Sequence, residues 1–461
     1  MPWNRRREAI EENSITEGVI WKQLLIFFFP ILLGSFFQQM YNTADAMIVG
    51  KVVGKEALAA VGGATGALIN LIVGLFMGIS SGATVMLSQV YGARNPRDVS
   101  DTLHTNIAMG LIFGAGLTVF GLVFSPTLLT WMGTPPEIME DAVTYIRIYF
   151  AGMIPSSLYN IGSASLRAVG DSRRPLYFLI VACMVNIVLD VILVVGCEFG
   201  VAGAAWATTI SQAVSAVLVM LTLARSHDSY QLKVKQIRIH TRLMKGILRI
   251  GLPAGLQSVM YSSSNVIIQS SMNAFGTDVL AAWTAYGKLD GLFWMIVSAF
   301  GVSITTFVGQ NFGARRYDRV HKSVKVCVGM AFGSTIVLST LYLLVGQYLY
   351  RLFADDPVVI AHGMDILQLL VPAYVLYLCI EIISGTVRGA GDSLIPTLIT
   401  LFGVCLVRVV WLLFVAPGMG TMQAVLVSYP ITWGLTSCLF LLYYWKGGWL
   451  DRCIRKAGHS A

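Results

Sequence analysis

Two aspartates, Asp45 and Asp190, stand in stretches of sequence that are otherwise almost wholly apolar, and each has polar company at helical spacing. Gln38, Tyr41 and Asp45 fall at i, i+3 and i+7 with Asn42 beside them. Asn186 and Asp190 form an i, i+4 pair, and Thr208, Gln212 and Ser215 repeat the stripe at i, i+4 and i+7. On helices these spacings put each set on one face. Two carboxylates brought together in a low dielectric cannot both ionise cheaply, so one of them is expected to take a proton near neutral pH. Alternatively Asp45, Asn186, Asp190 and Thr208 supply the oxygen ligands that a hard cation such as Na⁺ requires. Either way the site changes charge. A permanently protonated pair that only ties helices together fits less well, because polar contacts between membrane helices generally use uncharged groups.

The elements that must position these residues follow from composition. The 461 residues are 56% hydrophobic and 12% charged, with mean hydropathy +0.71, whereas soluble proteins are about 25% charged. A soluble globule is excluded. Apolar runs fall at about 23–47, 57–82, 101–124, 139–158, 176–195, 202–224, 246–272, 279–307, 322–346, 362–384, 394–415 and 424–445. Each is long enough for a helix crossing a membrane, which needs about 20 apolar residues, and none shows the alternation of a barrel strand. The expectation is therefore an all-α polytopic membrane protein of twelve transmembrane helices. At about 1.5 Å per residue, Asp190 lies roughly 21 Å into its span and Thr208 roughly 9 Å into its own, so both can meet Asp45 in one half of the membrane.

Basic residues orient the chain. Of 32 Lys and Arg, 26 fall in the two tails and the even-numbered loops, three (Lys51, Lys55, Arg351) in the opposite loops and three (Arg147, Lys288, Arg408) inside spans. Short basic loops mark the cytoplasmic side, so both termini are expected there, in the plasma or inner membrane of a prokaryote. The net charge of +8 then reflects topology rather than nucleic-acid binding. The polar segment 1–22 lacks the apolar core and cleavage site of a signal peptide.

The chain is also a duplication. SQVYGARNPRDV (88–99) recurs as VGQNFGARRYDRV (308–320), and LRAVGDSRRP (166–175) recurs as VRGAGDSLIP (387–396), both at an offset of 221. Upstream, Pro30 and Asn42 match Pro253 and Asn265 at 223. The matches include Arg, Asp, Pro and Gln, which chance likeness between apolar segments does not supply. Each unit holds six spans, an even number, so the two six-helix bundles are expected to be related by a pseudo-two-fold axis along the membrane normal, as in rocking transporters. The expected divisions are a tail (1–22), an N-lobe (23–224), a basic linker (225–245), a C-lobe (246–445) and a second tail (446–461).

The doubled G-A-R and R-x-x-G-D-S motifs on twelve helices resemble those of the multidrug and toxic compound extrusion (MATE) family over essentially the whole chain. The resemblance implies a secondary active exporter of lipophilic, often cationic small molecules, driven by antiport of H⁺ or Na⁺ through alternating access, with no cofactor besides the coupling ion. In the family's DinF-like branch a first-helix Asp and Tyr, a fifth-helix Asn and Asp four apart and a sixth-helix Thr form the cation or proton site. They match Asp45, Tyr41, Asn186, Asp190 and Thr208, and a first-helix Pro implicated in bending matches Pro30. The NorM-like branch uses acids of the seventh and tenth helices; here the seventh span has no acid, and Glu381 in the tenth stands alone, to line a cavity or to pair with Lys288 or Arg408. The superfamily also holds flippases of lipid-linked precursors, for which Arg147, Lys288 and Arg408 would contact phosphate.

The expected substrate cavity draws on Gln38, Tyr41, Asn42, Asn160, Met260, Tyr261, Lys288, Glu381 and Arg408, with Trp283 and Trp294 offering aromatic faces to flat cations. Gly74, Gly78 and Gly82 form a doubled G-x-x-x-G that permits close helix packing within the molecule. No nucleophile–base pair, His-rich metal motif or phosphate-cradling loop stands out, so an enzyme is not expected. The partners expected are small molecules and membrane lipid around a monomer, without nucleic acid.

Overall fold

The structure, a computed structural model, describes residues 14–353 and 356–458; Arg5, Arg6 and Arg7 of the expected N-terminal tail lie outside them. A backbone in lipid must satisfy its own hydrogen bonds, and the apolar runs do so as helices. In chain order these are α1 (Ile20–Val53), α2 (Lys55–Gly92), α3 (Pro96–Trp131), α4 (Pro136–Ala151 continued by Met153–Ala168), α5 (Arg173–Gly196) and α6 (Gly200–Ala224). Then follow α7 (Thr241–Asn273), α8 (Thr277–Gly313), α9 (Tyr317–Arg351), α10 (Pro357–Leu370 and Tyr374–Gly389, bent by 51°), α11 (Leu394–Met419) and α12 (Met422–Lys446). A short amphipathic α13 (Trp449–Lys456) closes the described chain.

Nine of these helices are long and apolar enough to cross a membrane unaided, and bent α10 makes a tenth. The other two, α4 and α7, have comparable length but more polar sequence. Arg147 lies inside α4, which breaks at Gly152, and α7 carries Arg242, Lys245 and Arg249 followed by a run of Ser and Asn. Among the described residues there is no strand. The chain is a multi-pass membrane protein with the all-α, twelve-helix architecture expected from its apolar runs.

By packing, the chain divides after Phe28 and after Gly255, giving one unit of residues 29–255 and another that joins the segment before Phe29 to residues 256–461. These divisions fall inside α1 and α7 rather than in the segment 225–245. That segment is held to the first unit, where the backbone N–H of Lys233 donates to His104 Nε2 at 3.0 Å and that of His240 to Thr105 Oγ1 at 3.3 Å. Both divisions lie within two residues of a proline, Pro30 or Pro253. Proline removes one backbone donor from the helix and clashes with the preceding turn, so it weakens the rod there.

The repeated motifs are turns. Arg94 and Arg315 of the two G-A-R sequences both adopt left-handed backbone, with φ of 54° and 56°, and their N–H groups cap the preceding helix at Tyr91 and Phe312 carbonyls. Gly170 and Gly391 of R-x-x-G-D-S have φ of 98° and 99° and close onto Arg167 and Arg388 carbonyls at 2.9 and 2.8 Å. A Cβ is strained at such φ, so Gly170→Val is expected to cost about 1–2 kcal/mol, read as a lower melting temperature of the purified protein. An unchanged melting temperature would show that this turn relaxes.

The doubled G-x-x-x-G of α2 faces α7. A Cβ built on Gly78 would lie 2.2 Å from Gly255 N, and one on Gly82 would lie 2.3 Å from Ile247 O. The crossing is thus backbone against backbone, within the unit of residues 29–255.

Candidate functional site

In the unit of residues 29–255, three neighbouring helices bury polar side chains. The face of α1 supplies Tyr41 and Asp45, α5 supplies Asn186 and Asp190, and α6 supplies Thr208. Asn186 and Asp190 are 0% exposed, with Asp45 and Thr208 at 7% and 6%. Asp190 lies close enough to Asp45 to feel its charge. Tyr41 accepts a hydrogen bond from Gln212 Nε2 at 3.5 Å.

Most of these polar atoms have no protein partner. Asp45 Oδ1, both carboxylate oxygens of Asp190, both amide atoms of Asn186 and Thr208 Oγ1 are buried without a hydrogen bond among the described residues. Buried polar groups are overwhelmingly paired, and an orphan costs about 1–3 kcal/mol. Six in one cluster therefore mark a place arranged for something other than stability. Two carboxylates, an amide oxygen and a hydroxyl are hard donors that suit a proton or an alkali cation, so the residues fit the coupling ions expected from the sequence.

The backbone changes at the same place. Asp190 is the last α-helical residue before a π turn, Val191–Gly196, and Asp45 precedes another, Val49–Val53, by four residues. A π turn adds a residue to the helical repeat and breaks the regular hydrogen-bond ladder, a feature concentrated at functional sites. Tyr145 of α4 also belongs here, because it feels the charges of both aspartates and of Tyr41 and packs against Val49, Val194 and Val201. Nothing in the sequence singles out Tyr145, since an isolated tyrosine in an apolar helix is commonplace.

The other residues expected around a substrate are more scattered. On α1, Gln38 and Asn42 are exposed while Tyr41 between them is buried. Asn160 of α4 is half-buried and spends its amide on Ser156 O at 2.8 Å.

The unit that includes residues 256–461 holds a cavity of about 540 Å³, within the size range of drug-binding pockets. Tyr261, Trp283, Trp294, Asp290 and Arg408 line it; Met260, Lys288 and Glu381 do not. Lys288 is exposed on α8. Glu381 Oε2 accepts from Tyr377 Oη at 3.4 Å, and the cation whose charge it feels is Arg388. The expected pairing of Glu381 with Lys288 or Arg408 is therefore not the one the side chains adopt.

Asp290 is an acid inside the apolar run 279–307 to which the sequence assigns no role. Its Oδ1 accepts from Tyr286 Oη at 3.1 Å and Tyr374 Oη at 2.7 Å, and its Oδ2 from Trp294 Nε1 at 2.6 Å. Two of these donors are on its own helix at i−4 and i+4, a spacing visible in the sequence, but Tyr374 comes from α10 and only the fold supplies it.

Comparison with known proteins agrees with this architecture. The MatE family model matches twice, at residues 30–192 and 253–414, once in each repeat. The chain is similar to YoeA, a probable multidrug resistance protein of Bacillus subtilis, at 28% identity over 97% of this chain and 99% of that one. It is similar to MepA, a multidrug export protein of Staphylococcus aureus, at 22% identity over 90% and 95%. Its fold matches a solved outward-facing structure of a multidrug resistance MATE family transporter with a TM-score of 0.88, at 23% identity over 96% of this chain and 98% of that one.

Proposed function

The chain belongs to the MatE family of transporters, and from that premise we propose that it exports lipophilic, often cationic small molecules by antiport with H⁺ or Na⁺ bound at Asp45 and Asp190. It is a transporter and not an enzyme. The observation that carries the coupling site is the cluster of buried, unpartnered oxygen and nitrogen atoms on Asp45, Asn186, Asp190 and Thr208. Such a cluster gains most from a proton or a sodium ion, because either supplies the partner that the protein withholds. The names of the relatives, multidrug resistance and multidrug export, favour export over the flipping of a lipid-linked precursor. So does the position of Lys288, which lies away from the cavity that Arg408 lines.

The cycle runs through α1. An outward-open form takes H⁺ or Na⁺ at Asp45 and Asp190, and the cluster loses negative charge. Side chains on α1 and α5 then close on the ion, and α1 bends near Pro30, where the helix lacks a backbone donor. Substrate leaves outward, and the ion is released inward as the next substrate binds. The monomer does this with both termini in the cytoplasm, as the basic loops indicate. For a monovalent cation exchanged one for one with H⁺, the membrane potential cancels and each pH unit supplies about 1.4 kcal/mol. A second coupling ion would add about 2.3 kcal/mol per 100 mV.

Dye efflux in inverted vesicles distinguishes the ion. An imposed ΔpH or an imposed ΔNa⁺ is expected to drive wild-type export, each collapsed selectively by its own ionophore. Export that ignores both gradients would overturn antiport.

A further inference from the structure

Among the described residues, Arg408 is a buried cation without an anion. It occupies the single α-helical turn Val407–Val410 between the two π turns of α11, Leu401–Leu406 and Trp411–Val415, and is 2% exposed. Its Nη2 donates to Thr432 Oγ1 at 3.0 Å, and its guanidinium lies 4.3 Å from the centroid of the Tyr429 ring. Its Nε is buried with no hydrogen-bond partner, and among the described residues no carboxylate forms an ion pair with it. A guanidinium has five N–H donors, and one of them is used. Burying a charge in this way is expensive unless a partner arrives.

The acids nearby are committed elsewhere. Asp290 lines the same cavity, but its two oxygens already accept from two tyrosines and a tryptophan. Glu381 stands behind Tyr377 and accepts from its hydroxyl. The surplus on this wall is therefore of donors and positive charge, and a ligand must bring the acceptor. Tyr261, Trp283, Trp294, Tyr377 and Trp433 line the same cavity, and three of them pack edge-on against one another, an aromatic lining that suits a flat apolar body.

We propose that the cavity lined by α7, α8, α10, α11 and α12 is a binding site for small aromatic carboxylates, with the carboxylate on Arg408 and the ring between the tryptophan and tyrosine walls. Arginine forms paired, charge-assisted hydrogen bonds with a carboxylate, so the unsatisfied Nε and the remaining N–H groups gain partners in one step. Asp290, which lines the same cavity and is held by its three donors, adds a negative edge that disfavours ligands carrying a second negative charge. This goes beyond cation export, because it assigns the C-terminal unit a ligand of the opposite charge. It rests on the reading of the cavity as a small-molecule site and not on the coupling site at Asp45 and Asp190.

The test is equilibrium dialysis of the purified full chain in phosphatidylcholine nanodiscs, with empty discs subtracted and no gradient imposed. Three probes share one ring system and differ in the head group: naphthoate, naphthamide and naphthyltrimethylammonium. Naphthoate is expected to bind the wild type about tenfold or more tighter than naphthamide, the worth of a charge-assisted hydrogen bond. Arg408→Gln should bring naphthoate down to the affinity of the amide, and Arg408→Lys should retain part of the preference. Equal binding of acid and amide, a preference that survives Arg408→Gln, or tightest binding of the ammonium probe would overturn the anion assignment alone. Failure of all three probes to bind would overturn the small-molecule reading of the cavity as well. The wild-type comparison of head groups decides the proposal even if Arg408→Gln folds poorly.

Discussion

Asp45→Asn is expected to reduce ion-driven export to the level of vesicles without the protein, while the variant accumulates and purifies like the wild type. The substitution keeps the size and shape of the side chain and removes only its capacity to carry a negative charge and to exchange a proton. Its structural cost is small because Asp45 Oδ1 has no hydrogen bond to lose. Asp190 feels the charge of Asp45, so removing that charge also relieves repulsion and the melting temperature should stay level or rise. Loss of activity with preserved or raised stability is the signature of a site held under electrostatic tension for function. Asp190→Asn should behave the same way, and the double variant should be no worse than either single one, since the two act as one site. The measurement is dye efflux in inverted vesicles under ΔpH and ΔNa⁺ beside melting curves of the purified proteins. Full export by Asp45→Asn under either gradient would remove the aspartate pair from the mechanism and leave Glu381 as the acid to examine.

The pair was legible in the sequence because charge in an apolar run is rare and its helical spacing can be checked by counting. Asp45, Asn186, Asp190 and Thr208 carried that signal, and all four are buried in the fold. The twelve helices were legible for the same reason, although α4 and α7 are helical despite more polar sequence. What the sequence withheld was long-range company. Tyr145 meets the aspartates from α4, and nothing local separates it from the other 17 tyrosines of the chain. Asp290 stood out as an acid in a span, yet its third donor, Tyr374, is 84 residues away. Glu381 and Lys288 looked like partners on charge alone, but Lys288 is exposed and Glu381 is met by Tyr377 instead. Packing likewise moved the division between units away from the basic linker to the two proline-bearing helices, because the linker's backbone bonds to His104 and Thr105 hold it to the first unit.

Gly78→Leu is expected to abolish the folded protein, the largest effect of any single change in a residue that touches no ligand. At many glycines a new Cβ meets open space or only a side chain. At Gly78 it would meet the backbone of α7, 2.2 Å from Gly255 N and 2.3 Å from Gly255 Cα, and at Gly82 it would meet Ile247 O at 2.3 Å. The reverse contacts are longer but still too short for a Cβ, with one on Gly251 falling 2.9 Å from Ile79 Cα and one on Gly255 falling 2.9 Å from Leu75 O. Glycine therefore lines both sides of the crossing, and neither helix can yield without moving as a whole. Overpacking of a core side chain typically costs about 1–3 kcal/mol, and backbone contact leaves less room to relax, so about 3 kcal/mol or more is expected here. In a membrane, small residues at a crossing are the main source of helix association, since lipid offers no hydrophobic gain for bringing helices together. Gly116→Leu is the matched control, on α3 of the same unit, where a Cβ meets nothing within 4 Å. Size-exclusion profiles and melting curves of the two variants should separate them completely. If Gly78→Leu elutes and melts as the wild type does, α2 and α7 do not cross at these glycines, and α7 cannot be the helix that ties residues 241–255 into the first unit.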